Sequence, residues 1–458
     1  MSIDGHVDSA ATEIATFIDG RPIARLQFAT ILLCFATLIV DGLNLQMLAF
    51  TAPVILKQWN ISAAELSPAM AASLIGMILG SALAGESGDR LGRRNTLLVS
   101  VGGFGLLTLA TAWAPGVRSL AVLRFLSGIG FGGAIPNCYA LASEWAPQRA
   151  RFLVLGVLTA GPPLGGVFGA LFSSWIIVSF GWRSCFIICA VITLLLVGAM
   201  TFVLLESATF TALRRGTGRA IALLRRVYGD AVSRIHEIGL LPPSAGSERG
   251  RPGIIGLMRG GEARMALYLV GAFFAIMFAV FSLTNWLPVA LTTAGLSTTA
   301  ALHGAVWFSF LFLAGTVGAG IALRKIGLFW SSGLGTVGSF GMMALLAHLL
   351  NSHHSDADLL PVYLALAGAG VFIGVVQSIL FILASTAFST DVRATSVGVC
   401  MMAGRVGGML AVFAAGSQLT LHINALASYF GGLALAMLAC GVMIGLFNNT
   451  RHGIIQAR

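Results

Sequence analysis

The chain has 458 residues, of which 57% are hydrophobic and only 10% charged, and it carries a net charge of +10 at neutral pH. A soluble globular chain has about 25% charged residues. Its mean hydropathy of +0.91 therefore excludes a water-soluble domain and calls for a bilayer to take up the apolar surface.

Taken in chain order, apolar stretches recur at 27–51, 63–85, 96–114, 118–141, 152–175 and 182–205, then at 265–291, 300–323, 330–349, 361–388, 393–417 and 424–447. Each is about 20 residues, enough to cross the hydrocarbon core as a helix. They are continuous runs rich in Gly, Ala and Leu, not the alternating segments of about 10 residues that build a membrane barrel. The expectation is an all-α membrane protein with twelve transmembrane helices. The N-tail (1–26) lacks a basic leader segment and a cleavage site, so the first span is expected to stay. Residues 206–264 hold ten Arg and five acids and form a linker that divides the spans six and six: a first bundle over 27–205, a second over 265–447, and a C-tail over 448–458. An amphipathic piece is expected at 218–238 within the linker.

The basic residues are sorted by side. Of the 27 Lys and Arg, 22 fall in the two tails and the even loops, three (Lys57, Arg118, Arg183) on the opposite side, and two (Arg124, Arg405) within spans. That asymmetry places both termini in the cytoplasm. It accounts for the positive charge without nucleic acid and leaves a weak attraction for anionic membrane lipid.

The two sets of six spans resemble each other at offsets of about 235–244. Gly85 and Gly92 match Gly320 and Gly327, and Gly128 and Gly132 match Gly370 and Gly374. The stretch from Glu144 to Arg149 occupies the place of Thr386 to Arg393. Parallel repeats imply a pseudo-two-fold axis along the membrane normal, with a substrate site between the bundles near mid-membrane.

Charges at bilayer depth are costly and mark function by default. Asp41 sits about fourteen residues into the first span. A low dielectric disfavours the charged carboxylate, which suits Asp41 to taking up and releasing a proton; the other reading is a structural ion pair. Arg124 either joins the site or pairs with Asp41. Arg405, near the middle of the eleventh span, cannot titrate, and its planar fork suits a carboxylate. Asn285-Trp286-Leu287-Pro288 closes the seventh span. Pro288 is a candidate helix breaker, and Trp286 faces either the cavity or the lipid interface, where most other tryptophans fall. His303 is expected to be a satisfied polar residue.

In the loop after the second span, Gly85-Glu-Ser-Gly-Asp-Arg-Leu-Gly-Arg-Arg94 offers a tight turn, an acid (Asp89) to cap a neighbouring helix, and Arg90, Arg93 and Arg94. Arg93 and Arg94 are placed to pair with Glu144 as a latch that breaks between conformations; Arg393, which holds the place of Arg149 in the second half, is grouped with them. Gly128-Ile-Gly-Phe-Gly-Gly133 follows no strand and lies inside a span, so it reads as a helix-packing face and not as a dinucleotide loop. Gly161-Pro-Pro-Leu-Gly-Gly166 reads as a kink and packing face. The six cysteines, Cys34, Cys138, Cys185, Cys189, Cys400 and Cys440, lack metal-ligand spacing and read as small packing residues. With no nucleotide loop, nucleophile elbow or metal constellation, neither an enzyme nor an ATP-driven pump is expected, and no cofactor or metal.

These segments together resemble the aromatic acid:proton symporter family of the major facilitator superfamily. They are Asp41-Gly-Leu-Asn-Leu-Gln46, Gly88 to Arg94, Arg124 to Asn137, Glu144 with Pro147 and Arg151, Asn285 to Pro288, Arg393 to Gly398, and Gly404 to Gly407. The wording around Asp41 is closest to hydroxyphenylpropionate-type members. The resemblance implies the two-bundle major facilitator fold in a bacterial cytoplasmic membrane, acting as a monomer. It also implies uptake of a small aromatic carboxylate such as benzoate, a hydroxybenzoate, protocatechuate or a phenylpropanoid acid, with protons and by alternating access. Asn44 stands where the family usually has a second acid; it is grouped with Arg124, Arg405 and Trp286 at the substrate, and Asp41 is left to carry the proton alone. The Gly161–Gly166 run resembles part of an antiporter motif, which keeps proton-coupled drug efflux as the alternative.

Overall fold

The computed structural model describes residues 14, 16–229, 261–352, 359–386, 390–420 and 425–456, and among them every regular element is helical. The first set comprises α1 (Arg25–Trp59), α2 (Ala63–Leu91), α3 (Arg93–Thr111), α4 (Val117–Trp145), α5 (Gln148–Thr159), α6 (Gly161–Phe180) and α7 (Trp182–Val203). Two short helices follow, α8 (Ala208–Arg215) and α9 (Thr217–Tyr228). The second set comprises α10 (Gly261–Thr293), α11 (Thr298–Ser352), α12 (Leu360–Thr386), α13 (Thr390–Thr420) and α14 (Ala425–Gln456).

The element count meets the twelve expected spans once two joints are understood. α11 is two spans joined at Gly327, whose φ of 77° and ψ of 172° break the helix. Its repeat partner Gly92, between α2 and α3, has φ 94° and ψ 149°. A side chain rarely adopts such positive φ values, so glycine marks the same turn in both halves. The fifth span is split into α5 and α6 at Ala160, before Gly161-Pro-Pro163. By contrast, Pro288 does not end the seventh span: α10 runs past it to Thr293. Neighbouring turns and packed side chains hold a helix across a proline in a membrane bundle. The expected amphipathic piece begins as α9, which buries Ala220 and Leu224; residues 230–238 lie outside the described residues.

Small residues set the packing. A Cβ on Gly128 would lie 3.0 Å from the carbonyl carbon of Ser73, and one on Gly132 would lie 2.7 Å from the backbone nitrogen of Ser81, so α4 meets α2 backbone to backbone. In the second half, a Cβ on Gly370 or Gly374 would lie 2.9 or 3.0 Å from the backbone nitrogen of Phe312 or Thr316. Without a hydrophobic drive between helices in lipid, such close approach is what associates them. Gly132→Leu is therefore expected to prevent assembly of the first bundle. It should leave little monodisperse protein on size-exclusion in detergent, since overpacking costs about 1–3 kcal/mol even where the neighbour is a movable side chain, and here it is backbone.

The two sets meet through α1 with α10, α2 with α13, and α6 with α11. At the end carrying the α1–α2 turn they touch closely: the Ala64 amide donates to Thr420 Oγ1 at 3.1 Å, and Gly416 faces Ser67 and Ala63. Two of the tryptophans expected at interfaces are core residues. Trp145 is buried, and Trp182 is buried with its indole donating to Gln58 at 2.7 Å. Trp113, Trp175 and Trp330 are exposed on the bundle surface. His303 is exposed, and all six cysteines are buried free thiols.

Candidate functional site

The middle of α1 carries the chemistry. Gly42 lets the backbone of α6 approach, its Cβ position lying 2.6 Å from Pro162 Cα, so the residue beside it, Asp41, is enclosed at 2% exposure. The buried Oδ1 of Asp41 has no hydrogen-bond partner among the described residues. Cys138 and Tyr139 of α4 lie within electrostatic reach. One turn on, Asn44 faces inward within its own bundle. Its amide nitrogen donates to Val40 O (3.0 Å) and Thr193 Oγ1 (3.2 Å), and its oxygen accepts from Thr108 (3.0 Å). It ties α1 to α3 and α7, where the sequence reading had grouped it with the substrate.

Arg124 is buried, and it forms no ion pair with Asp41. It donates to Ser73 Oγ (3.0 Å), Asn44 O (3.0 Å) and Leu45 O (3.5 Å), while its Nη1 is buried with no partner among the described residues. The guanidinium thus braces the backbone of α1 from α4 and α2.

Between the two sets lies a cavity of about 180 Å³, lined from α1 by Gly42, Leu45 and Gln46 and from α6 by Pro162 and Pro163. Its far wall comes from α10, α11 and α12, with Phe281, Phe308 and Phe312 supplying rings, Asn285 and Gln377 amides, and Thr284 and Ser309 hydroxyls. Phe308 and Phe312 stack with centroids 5.9 Å apart. Such a chamber, apolar with a few convergent polar groups, is the usual form of a small-molecule site. It can hold a flat ring against aromatic faces and hydrogen-bond its substituents.

None of the four expected ligands, Asn44, Arg124, Trp286 and Arg405, belongs to this lining. Trp286 is fully buried and donates to Val412 O at 3.0 Å, pinning α10 to α13; it faces neither the cavity nor lipid. Arg405 donates to Ser81 Oγ at 2.7 Å across the boundary between the sets. It lies one helical turn from Gly408, whose Cβ position is 2.6 Å from the ring of cavity-lining Phe281. Arg405 therefore sits at the edge of the chamber.

At the opposite end from the Ala64–Thr420 contact, Arg93 and Glu144 form an ion pair between α3 and α4. Arg94 takes other partners. Its guanidinium donates to Leu204 O at 2.9 Å and Thr201 O at 2.5 Å, and its amide donates to Glu206 Oε1 at 3.0 Å. Glu206 thus caps the start of α3, where the orphan amides and the positive dipole end favour a carboxylate. The side chains of Asp89 and Arg393 lie outside the described residues, and that of Arg90 is exposed. Nearby, Asp19 accepts from the Gln148 amide at 2.6 Å and so caps α5.

Sequence reasoning missed Glu206 as a helix cap, and Gln46, Gln377 and the three phenylalanines as lining. A signal existed for Gln377, the one amide in an otherwise apolar span, because polar groups at that depth are costly without a role.

The sequence matches the family model described as Major Facilitator Superfamily over residues 34–412. It is 30% identical over 434 residues to a gallate transporter of Pseudomonas putida, covering 91% of this chain and 90% of that protein. It is 31% identical over 414 residues to the 4-hydroxybenzoate transporter PcaK of Pseudomonas putida, covering 90% of each. A 3-(3-hydroxy-phenyl)propionate transporter of Escherichia coli (strain K12) is 28% identical over 430 residues, covering 91% of this chain and 93% of that one. Among solved structures, the inward open xylose transporter XylE from E. coli superposes with a TM-score of 0.70 at 17% identity, covering 91% of this chain and 95% of that one. A bacterial homolog to human lysosomal transporter Spinster superposes with 0.71 at 15% identity, covering 95% and 98%. At those identities the structural likeness carries the fold alone.

Proposed function

The chain belongs to the Major Facilitator Superfamily, and on that footing we propose that it imports a hydroxylated aromatic carboxylate together with a proton. The observation that carries this reading is the phenylalanine- and amide-lined chamber between the two sets of helices, reached by α1 beside the buried, unpaired Asp41. The relatives named for gallate, 4-hydroxybenzoate and hydroxyphenylpropionate support the choice of cargo.

In this reading both termini are cytoplasmic, and the Ala64–Thr420 contact closes the outer end. Asp41 takes a proton from outside. The ring lies against Phe281, Phe308 and Phe312. Arg405, held by Ser81 in this arrangement, turns at the chamber edge to meet the carboxylate. Arg124 keeps the α1 backbone in register while the helix moves. The two sets then rock about the chamber, which is the mode of transport expected of paired six-helix repeats. Efflux of an amphipathic cation is the weaker reading, because no carboxylate lines the chamber among the described residues.

The test uses purified protein in proteoliposomes with an inward proton gradient, following labelled protocatechuate, 4-hydroxybenzoate and 3-(3-hydroxyphenyl)propionate with and without protonophore. Accumulation that collapses with protonophore is expected. No uptake of any of these acids, with extrusion of a lipophilic cation by the same preparation, would overturn the reading.

A further inference from the structure

We infer that Gln377 is the residue by which the chamber selects a ring hydroxyl; the inference rests on the proposal that the chamber carries an aromatic acid. Gln377 lines the chamber from α12, and its Oε1 is buried in that wall with no hydrogen-bond partner among the described residues. A buried amide oxygen left unpaired is costly, so its place among Met277, Val280 and three phenylalanines asks for a donor.

Two neighbouring polar groups do not supply that donor. The Thr284 hydroxyl donates to Val280 O at 2.8 Å, and the Asn285 amide donates to Phe281 O at 2.8 Å. Both turn a hydrogen back onto their own helix, and neither bonds Oε1. The position of Gln377 is itself fixed, because the next residue, Ser378, donates to Thr316 O at 3.1 Å and locks α12 against α11.

A carboxylate cannot satisfy Oε1, since both are acceptors. A phenolic O–H can. Phe308 and Phe312, stacked on each other, both line the chamber, and a ring seated beside them with its hydroxyl toward α12 satisfies Oε1. Its carboxylate then points toward the edge where Arg405 lies. The ligand class is thus an aromatic acid with a hydroxyl on the side of the ring away from the acid group, in preference to an unsubstituted ring. A site built around a substrate hydroxyl discriminates strongly against the analogue that lacks it, because the protein group is then left unpaired.

The test compares 4-hydroxybenzoate with benzoate, both as competitors of a labelled acid in proteoliposomes and as ligands of the detergent-purified protein. Wild type should prefer the hydroxylated acid, and Gln377→Met should reduce that preference by about tenfold or more. Met fills a similar unbranched volume with only a weakly accepting sulfur. Gln377→Leu is the second variant if the first does not purify as a monodisperse species.

A preference unchanged within about twofold in the folded variants would overturn the role of Gln377, even if aromatic acids are transported. A wild-type protein that binds neither acid would overturn the transport reading first, and this inference with it. A fall in affinity for both acids by the same factor would make Gln377 a general wall of the chamber, which also overturns the selection of a hydroxyl.

Discussion

Asp41→Asn should abolish accumulation of the aromatic acid against its gradient while the protein still folds. Asn keeps the shape of Asp41 and its place beside Gly42 but cannot bind and release a proton, so downhill movement loses its coupling to the proton gradient. The wild-type expectation is quantitative. With Asn44 held by Val40, Thr108 and Thr193 in place of a second acid, one proton accompanies one monoanion, and the cycle is electroneutral. A pH difference of one unit then sustains about tenfold accumulation, or ~1.4 kcal/mol. A membrane potential imposed with potassium and valinomycin should add nothing. A second proton would instead bring in ~2.3 kcal/mol per 100 mV. Proteoliposome uptake under separately imposed pH and voltage gradients distinguishes these. Full accumulation by the Asn variant would remove Asp41 from the coupling role, and a voltage response in wild type would remove the one-proton cycle.

Much of the architecture was legible because membrane physics writes it in composition. Continuous apolar runs gave the spans, and glycines gave the joints. Gly92 and Gly327 read as matched turns from their repeat spacing, and Gly128 with Gly132 read as a crossing because two glycines one turn apart let a neighbouring backbone close in, which proves to be that of Ser73 and Ser81. The Arg93–Glu144 pair was legible from charges placed at two span ends. What the sequence hid was rotation. Phe308 and Phe310 are two residues apart in one apolar run, yet the first is 1% exposed and lines the chamber while the second is 52% exposed. No composition distinguishes them. Trp286 likewise turns into the α10–α13 contact, although it adjoins the chamber residue Asn285. The Glu206 cap on α3 bridges 112 positions in the chain. Its acid was read as the opening of a polar linker because its partner is a backbone amide, which every residue of that type possesses.

The charge pair at the start of α3 should control rate more than affinity. Arg93 and Glu144 are one-quarter exposed, at 25% and 23% of their side-chain surface. They are screened more than a fully enclosed pair, whose disruption costs about 3–5 kcal/mol, and less than a surface pair worth about 0–1 kcal/mol. A coupling energy of about 1–3 kcal/mol is therefore expected from a thermal-stability double-mutant cycle of Arg93→Gln and Glu144→Gln. Arg93→Gln alone should be the harsher change. It takes the cation from Glu144, whose second oxygen, Oε2, is already buried without a partner among the described residues, and so leaves a partly buried carboxylate charge uncompensated. Arg94 cannot step in, because its guanidinium is committed to the carbonyls of Thr201 and Leu204. A latch that holds one arrangement and opens in the other sets the barrier between them, so removing it should lower the maximal uptake rate by roughly tenfold, about 1.4 kcal/mol of barrier or of state population. The KM for the aromatic acid should change much less, since neither residue lines the chamber. The exchanged pair Arg93→Glu with Glu144→Arg should recover part of the rate. Additive effects of the two single variants, or a KM that shifts as much as the rate, would show that the pair is scaffolding and not a conformational latch.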